Sequence, residues 1–187
     1  TKQRGSHQNP PDLNPYNLKI VRFHEHLDAQ GNVVWDFFPD QCRHCLTPVC
    51  KDVADMAVPD AIVRDPKTGI VLFTEKTAQL SPDDVRAVTD ACPYNIPRYD
   101  EKTKQLVKCD MCVDRVSAGL PPVCVKTCPT GAMVFGEREE VLDTAQKRLD
   151  AAMQRFPKAH LVDVEDVSVV YLLAEEKEYY YEYASFM

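Results

Sequence analysis

The spacing of the cysteines constrains this chain more than any other feature. They fall as Cys42-x2-Cys45-x4-Cys50, then Cys92 followed by Pro93, then Cys109-x2-Cys112-x11-Cys124-x3-Cys128 followed by Pro129. Thiolates are soft ligands that suit iron clusters or zinc. A C-x2-C pair brings two sulfurs to one centre from a tight loop, and a Cys-Pro step closing such a run is a mark of iron–sulfur ligation. Eight cysteines in 187 residues are too dense for chance and too sparse for a disulfide-stapled miniprotein. A chain that delivers sulfurs from separate stretches is expected to rely on loops and short elements.

The length allows one or two compact domains. Hydrophobic residues at 44% can supply a core, while 14 prolines predict modest regular structure. No run of about 18 apolar residues is present to span a membrane. Neither a signal peptide nor a twin-arginine motif opens the sequence as given, so an exported protein of this kind is expected either to travel with a partner or to have its true start upstream. The formal net charge is −7, and each bound [4Fe–4S] cluster with four thiolates adds about −2. Nucleic acid is therefore not an expected partner. A neutral or positive protein face is.

Residues 1–17 are polar and rich in Pro and Asn, and read as an extended arm. Leu18–Phe23 and Asn32–Phe38 predict a hairpin around Gln30-Gly31-Asn32. Ala61–Val63 and Ile70–Phe73 flank Asp65-Pro66-Lys67-Thr68-Gly69, a second hairpin with turn chemistry. Arg98-Tyr99 and Leu106-Val107 flank a similar turn. Cysteine group, hairpin, cysteine group thus occurs twice, a weak internal repeat. Ser81-Pro82-Asp83-Asp84 is a helix start with cap, Pro at the first position and acids at the positive end of the dipole. Val141, Leu142, Ala145, Leu149, Ala152, Met153 and Phe156 predict a helix over 139–156, ended by Pro157. Ser168–Leu173 reads as a buried strand. The aromatic tail, with Tyr179, Tyr180, Tyr181, Tyr183 and Phe186, is expected to pack on the body or on a partner.

Cys42, Cys45 and Cys50 make three ligands and need a fourth, which lone Cys92 supplies. These four are expected to hold one [4Fe–4S] cluster. Cys109, Cys112, Cys124 and Cys128 suffice for one more. Under the rule that the last cysteine of a run ligates the other cluster of a pair, Cys128 instead serves a further cluster. Both arrangements stay open. A zinc ribbon from Cys42/Cys45 and Cys109/Cys112 leaves the other four cysteines unexplained. His44 is read as a hydrogen-bonding or packing residue rather than a ligand. Lys108 and Lys126 either offset cluster charge or are simply solvated. Trp35 and Phe37 are expected in the core. No catalytic triad, paired carboxylate site or phosphate loop is readable.

Three segments carry a resemblance to a known family: Phe37-Phe38-Pro39-Asp40-Gln41-Cys42-Arg43-His44-Cys45, Ala91-Cys92-Pro93-Tyr94, and the run Lys108–Glu137. The chain resembles the iron–sulfur (beta) electron-transfer subunit of molybdenum or tungsten formate dehydrogenases, within the dimethyl sulfoxide reductase-type superfamily. The resemblance implies an α+β fold of pseudo-symmetric ferredoxin-like modules with short β-hairpins, long loops and a C-terminal helix. It suggests a [4Fe–4S] region over 1–135 and a helix, strand and aromatic tail over 136–187. It implies no catalytic residues in this chain, a large pterin catalytic subunit as partner, and a cytochrome or other acceptor. Periplasmic location is expected, with the cytoplasm as the alternative. The same relay role for a thiosulfate, polysulfide, nitrate or dimethyl sulfoxide reductase is the runner-up, and a zinc-binding structural module the rival from another class.

The sequence departs from the family pattern twice. The family's opening cysteine group would lie upstream of Thr1, so two clusters are expected, and three if that group exists. Ala54, Pro82, Val85 and Val88 stand where the ligands of one further cluster would be, a coherent loss of a whole site.

Overall fold

A computed structural model describes residues 9–186. The predicted extended arm lies partly outside this range. Its described end folds back onto the body: Leu13 is buried, and Asp12 pairs with Arg22 at 2.6 Å and Arg98 at 2.7 Å.

The described residues form short helices and two-stranded antiparallel sheets, an α+β arrangement. Strands β1 (Ile20–Leu27) and β2 (Val33–Asp40) make the first hairpin. Its turn is fixed by Asp28, whose carboxylate accepts the backbone N–H groups of Gln30 and Asn32, with Gly31 at φ 81°. Helix α1 (Val49–Asp55) follows, then β3 (Ile62–Arg64) paired with β4 (Val71–Phe73). Helix α2 (Pro82–Asp90) starts on the expected capping box, with Ser81 and Asp84 exchanging hydrogen bonds. Strand β5 (Arg98–Asp100) pairs with β6 (Gln105–Val107). Short helices α3 (Val113–Ser117) and α4 (Val123–Thr127) carry the second cysteine group toward α5 (Arg138–Met153). Strands β7 (His160–Val162) and β8 (Tyr171–Leu173) close the chain. The predicted strand over 168–173 is therefore shorter, and its partner β7 was not foreseen.

The middle two hairpins share their turn chemistry. Asp65 accepts the N–H of Lys67 and Thr68, and Asp100 accepts the N–H of Lys102 and the hydroxyl of Thr103. Each turn ends on a left-handed residue, Gly69 at φ 71° and Lys104 at φ 61°.

Among the described residues, three buried clusters hold the fold. Ala54, Ala61, Ile62, Val71, Leu80, Val88 and Leu106 form the first, with Val85 packed against it. Three of the four positions that the resemblance assigns to lost ligands thus meet in hydrocarbon, while Pro82 is exposed at the start of α2. The second cluster gathers Ile20, Tyr94, Ile96 and Val167 around Cys42. The third joins Phe38 to Val162, Tyr171, Leu173 and Ala184, with Tyr180 and Tyr181 against it. The aromatic tail therefore packs on the body.

The first hairpin corrects one expectation. Trp35 and Phe37 are 58% and 56% exposed, and Phe38 is the buried ring. Alternation along β2 puts Phe38 opposite Arg22, and Phe37 opposite Phe23 on the outer face. The inner face is the more polar one. Its Arg22 is buried nonetheless, paired with Asp40 at 2.8 Å beneath the Tyr181 ring, whose centre lies 3.6 Å from the guanidinium carbon.

Candidate metal centre

Strand β2 ends at Asp40 and delivers Gln41-Cys42-Arg43-His44-Cys45 as a tight loop. His44 is left-handed, φ 48°, which turns its N–H onto the Cys42 sulfur at 3.3 Å. The second C-x2-C loop repeats the device: Met111 has φ 56° and its N–H donates to the Cys109 sulfur at 3.4 Å. The 166–169 segment clamps the first loop, with the N–H of Leu46 donating to Asp166 O at 2.8 Å and that of Val169 to Arg43 O at 2.9 Å.

Cys50 lies in the first turn of α1, and Cys92 just past the end of α2. The two helices pack together, so these sulfurs meet at one end of the pair. Cys42, Cys45, Cys50 and Cys92 line one pocket with Tyr94 and Lys108. A neighbouring hollow of about 230 Å³ shares Cys45, Cys50 and Cys92 and is also lined by Glu165, Asp166 and Phe186. None of the eight cysteines is in a disulfide.

The thiol chemistry suits a metal. Burial pushes Cys45 and Cys50 up to about 12, reinforced in both by Cys42 and Cys92. Burial also raises Cys92, and raises Cys109 to about 11. Such thiols stay protonated at neutral pH unless a cation takes the proton's place. Sulfurs facing shared space, with N–H donors aimed at two of them, fit an iron–sulfur group.

Cys128 differs. It caps α4 in an open loop, and hydrogen bonds from the Thr130 side chain and the N–H groups of Met133, Ala132 and Thr130 lower its thiol to about 7. Cys109 and Cys124 each lie near enough to Lys19 to act on its charge. Cys112 starts α3, its N–H held by Asp110 at 2.8 Å.

Three cations stand around these sulfurs. Lys108 is buried and donates to the carbonyls of Val71 and Cys109, so it is not a solvated residue, whereas Lys126 is exposed. Arg43 is 2% exposed. It donates to Asp40 and Tyr171 at 3.2 Å and to Gln41 O, with Phe38, Tyr94 and Tyr171 rings about it. Lys19 donates to Gln41 and is lowered by burial, opposed by Cys124 and Cys109. Sequence reasoning missed Arg43 and Lys19. The position of Arg43 inside the C-x2-C pair was an available signal, and nothing near Lys19 in sequence offered one. His44 is fully buried, and its Nδ1 accepts the Val71 N–H at 3.0 Å. Burial, with Lys108 beside it, holds the imidazole well below its usual pKa, so the ring is neutral.

The family model of the 4Fe-4S dicluster domain matches residues 33–138. The chain is 74% identical over 187 residues to the formate dehydrogenase 2 subunit beta (cytochrome c-553) of Nitratidesulfovibrio vulgaris, covering 100% of this chain and 85% of the relative. It is 48% identical over 184 residues to the formate dehydrogenase subunit beta of Megalodesulfovibrio gigas, covering 98% and 84%. The chain belongs to the iron–sulfur beta subunits of formate dehydrogenases. A further member, the nitrate-inducible formate dehydrogenase iron–sulfur subunit of Escherichia coli, is 35% identical over 183 residues, covering 95% of this chain and 60% of that protein. As a formate dehydrogenase beta subunit, the chain is a non-catalytic electron-transfer component of an oxidoreductase complex and has a ferredoxin-like iron–sulfur domain. No helix among the described residues is long and apolar enough to cross a membrane.

Proposed function

We propose that Cys42, Cys45, Cys50 and Cys92 hold one [4Fe–4S] cluster, and that Cys109, Cys112, Cys124 and Cys128 serve one or two more. On this reading the modules are pseudo-symmetric, supported by the matching Cys42 and Cys109 loops and the matching Asp65 and Asp100 turns. The observation that carries the proposal is the pocket where Cys92 meets the distant sulfurs of Cys42, Cys45 and Cys50. Electrons pass from a molybdenum or tungsten pterin subunit, which oxidises formate, through this chain to a cytochrome. The name of the Nitratidesulfovibrio relative supports that acceptor. The exposed apolar outer face of the first hairpin, with Val21, Trp35 and Phe37, suits a permanent subunit contact. Periplasmic location, reached with the catalytic partner, completes the reading.

When bound, such a cluster takes up and releases single electrons at a potential set by its surroundings. The chain supplies those surroundings. The N–H groups of His44 and Met111 hold negative charge on two sulfurs. Arg43, Lys108 and Lys19 offset the added charge from buried or half-buried positions, where screening by water is weak. Tyr94 and Ile96 wall the first pocket with apolar surface.

Anaerobic addition of formate to the complex with its catalytic partner tests the assignment. The visible iron–sulfur absorption is expected to bleach. Formate that leaves it unbleached in a complex turning over another electron donor excludes the formate relay.

A further inference from the structure

On the inner face of the first hairpin, His24 and Asp36 stand directly opposite one another across β1 and β2. His26 lies two residues on from His24 and so points to the same side. One ligand atom from each of the three lies within 4.8 Å of the other two. A zinc ion with bonds of about 2.0–2.1 Å holds its ligand atoms about 3.3 Å apart, so small side-chain rotations close the set. Nδ1 of His24, Nδ1 of His26 and Oδ2 of Asp36 are all buried without a hydrogen-bond partner. The His26 and Asp36 atoms are 3.1 Å apart, an ion-pair distance when the imidazole is protonated. That pair alone leaves the His24 nitrogen unmet. Buried polar atoms are satisfied in nearly all proteins, and an unsatisfied set that converges calls for a missing partner.

We propose that His24, His26 and Asp36 form a three-ligand site for a divalent transition-metal ion of the zinc class, separate from the cysteine centres. Two imidazole nitrogens and one carboxylate suit zinc, cobalt or nickel, whereas calcium and magnesium take oxygen sets. Soft thiolates draw iron–sulfur groups and this harder set draws zinc, so the two kinds of site sort their metals by ligand chemistry. Three protein ligands leave a fourth position for water or an added donor. Tyr179 covers the site from the 3₁₀ turn Lys177–Tyr179, its ring 4.3 Å from that of His26. A bound ion would therefore couple the hairpin to the C-terminal tail.

The test uses the full chain with its clusters loaded, in complex with its catalytic partner, dialysed against micromolar zinc chloride. Metal content by plasma mass spectrometry is expected to rise by one zinc per chain, with iron unchanged. His26→Gln and Asp36→Asn should each weaken zinc binding by about tenfold or more. No zinc uptake by the unaltered protein, or uptake undiminished in the His24→Gln/Asp36→Asn double variant, overturns the proposal. If the variants fail to fold, histidine acylation of the unaltered protein decides. Zinc should protect His24 and His26 but not His160, and equal rates with and without zinc overturn the site.

Discussion

Around the bodies of α1 and α2 the chain is packed with hydrocarbon, while at one end of the same pair it presents sulfur. Ala54, Val85 and Val88 join Ile62 and Leu106 in an apolar core. Cys50 and Cys92 instead line a pocket with Cys42, Cys45 and Lys108. The resemblance implies cysteines in both regions of the family pattern. In one, Pro82 opens a helix and Ala54, Val85 and Val88 pack closely. The other keeps its sulfurs, as buried thiols whose pKa burial raises. Burial of methyl groups needs no cofactor, whereas buried thiols give up their protons only when a cation takes the proton's place.

The largest expected effect breaks the sulfur side alone. Cys92→Ser should abolish the same paramagnetic cluster signal as Cys42→Ser, with iron per chain falling by about four. Loss of two different signals would falsify the shared pocket. Next, Leu106→Ala should destabilise the apolar side by about 2–5 kcal/mol, read in denaturant unfolding of the loaded protein, with iron content retained. A drop in iron comparable to that of Cys92→Ser would show that the two regions are not separable.

Lys108→Met keeps the aliphatic stem and removes the charge. It should lower the potential of the nearest cluster by on the order of 50–100 mV, from one unit charge at an effective dielectric of about 20. The sign follows from the reduced cluster carrying more negative charge. A redox titration that finds the potential unmoved or raised counts against the electrostatic role.

Exposed and buried sulfurs can be compared by pH. In the folded, iron-free chain Cys128 should alkylate with a half-point at about 7, and its rate should fall as pH drops through that value because the thiolate is the nucleophile. Cys45 and Cys50, raised to about 12, should stay unreactive at neutral pH. Thr130→Val should move the Cys128 half-point upward. A half-point at the ordinary 9.0 would show that the loop does not hold the thiolate. The smallest effect belongs to Trp35→Ser, expected within about 0.5 kcal/mol because the ring is exposed. Phe38→Ala, on the buried face of the same strand, should cost about 3–5 kcal/mol.

Much of the fold was legible because its signals are local. Asp28, Asp65 and Asp100 make their turns with backbone atoms two to four residues away, and Ser81 caps a helix with Asp84 three residues on. The pairing of lone Cys92 with the Cys42 run was legible through ligand counting, since a cluster wants four thiolates. The hairpin face was not. Apolar Trp35 and Phe37 argued for the core, yet the tail covers the opposite, more polar side.

Sequence by itself determined the ligand chemistry, the turns and the caps, because each depends on residue type at short spacing. Only the tertiary structure decided which face of β1 and β2 is buried, and that Arg43, Lys108 and Lys19 gather about the sulfurs. Those outcomes depend on long-range pairing: Arg22 is met by Asp12, Asp40 and Tyr181, and Arg43 by Tyr171. A charged side chain is buried when distant partners meet it, and its own neighbours in sequence do not reveal them.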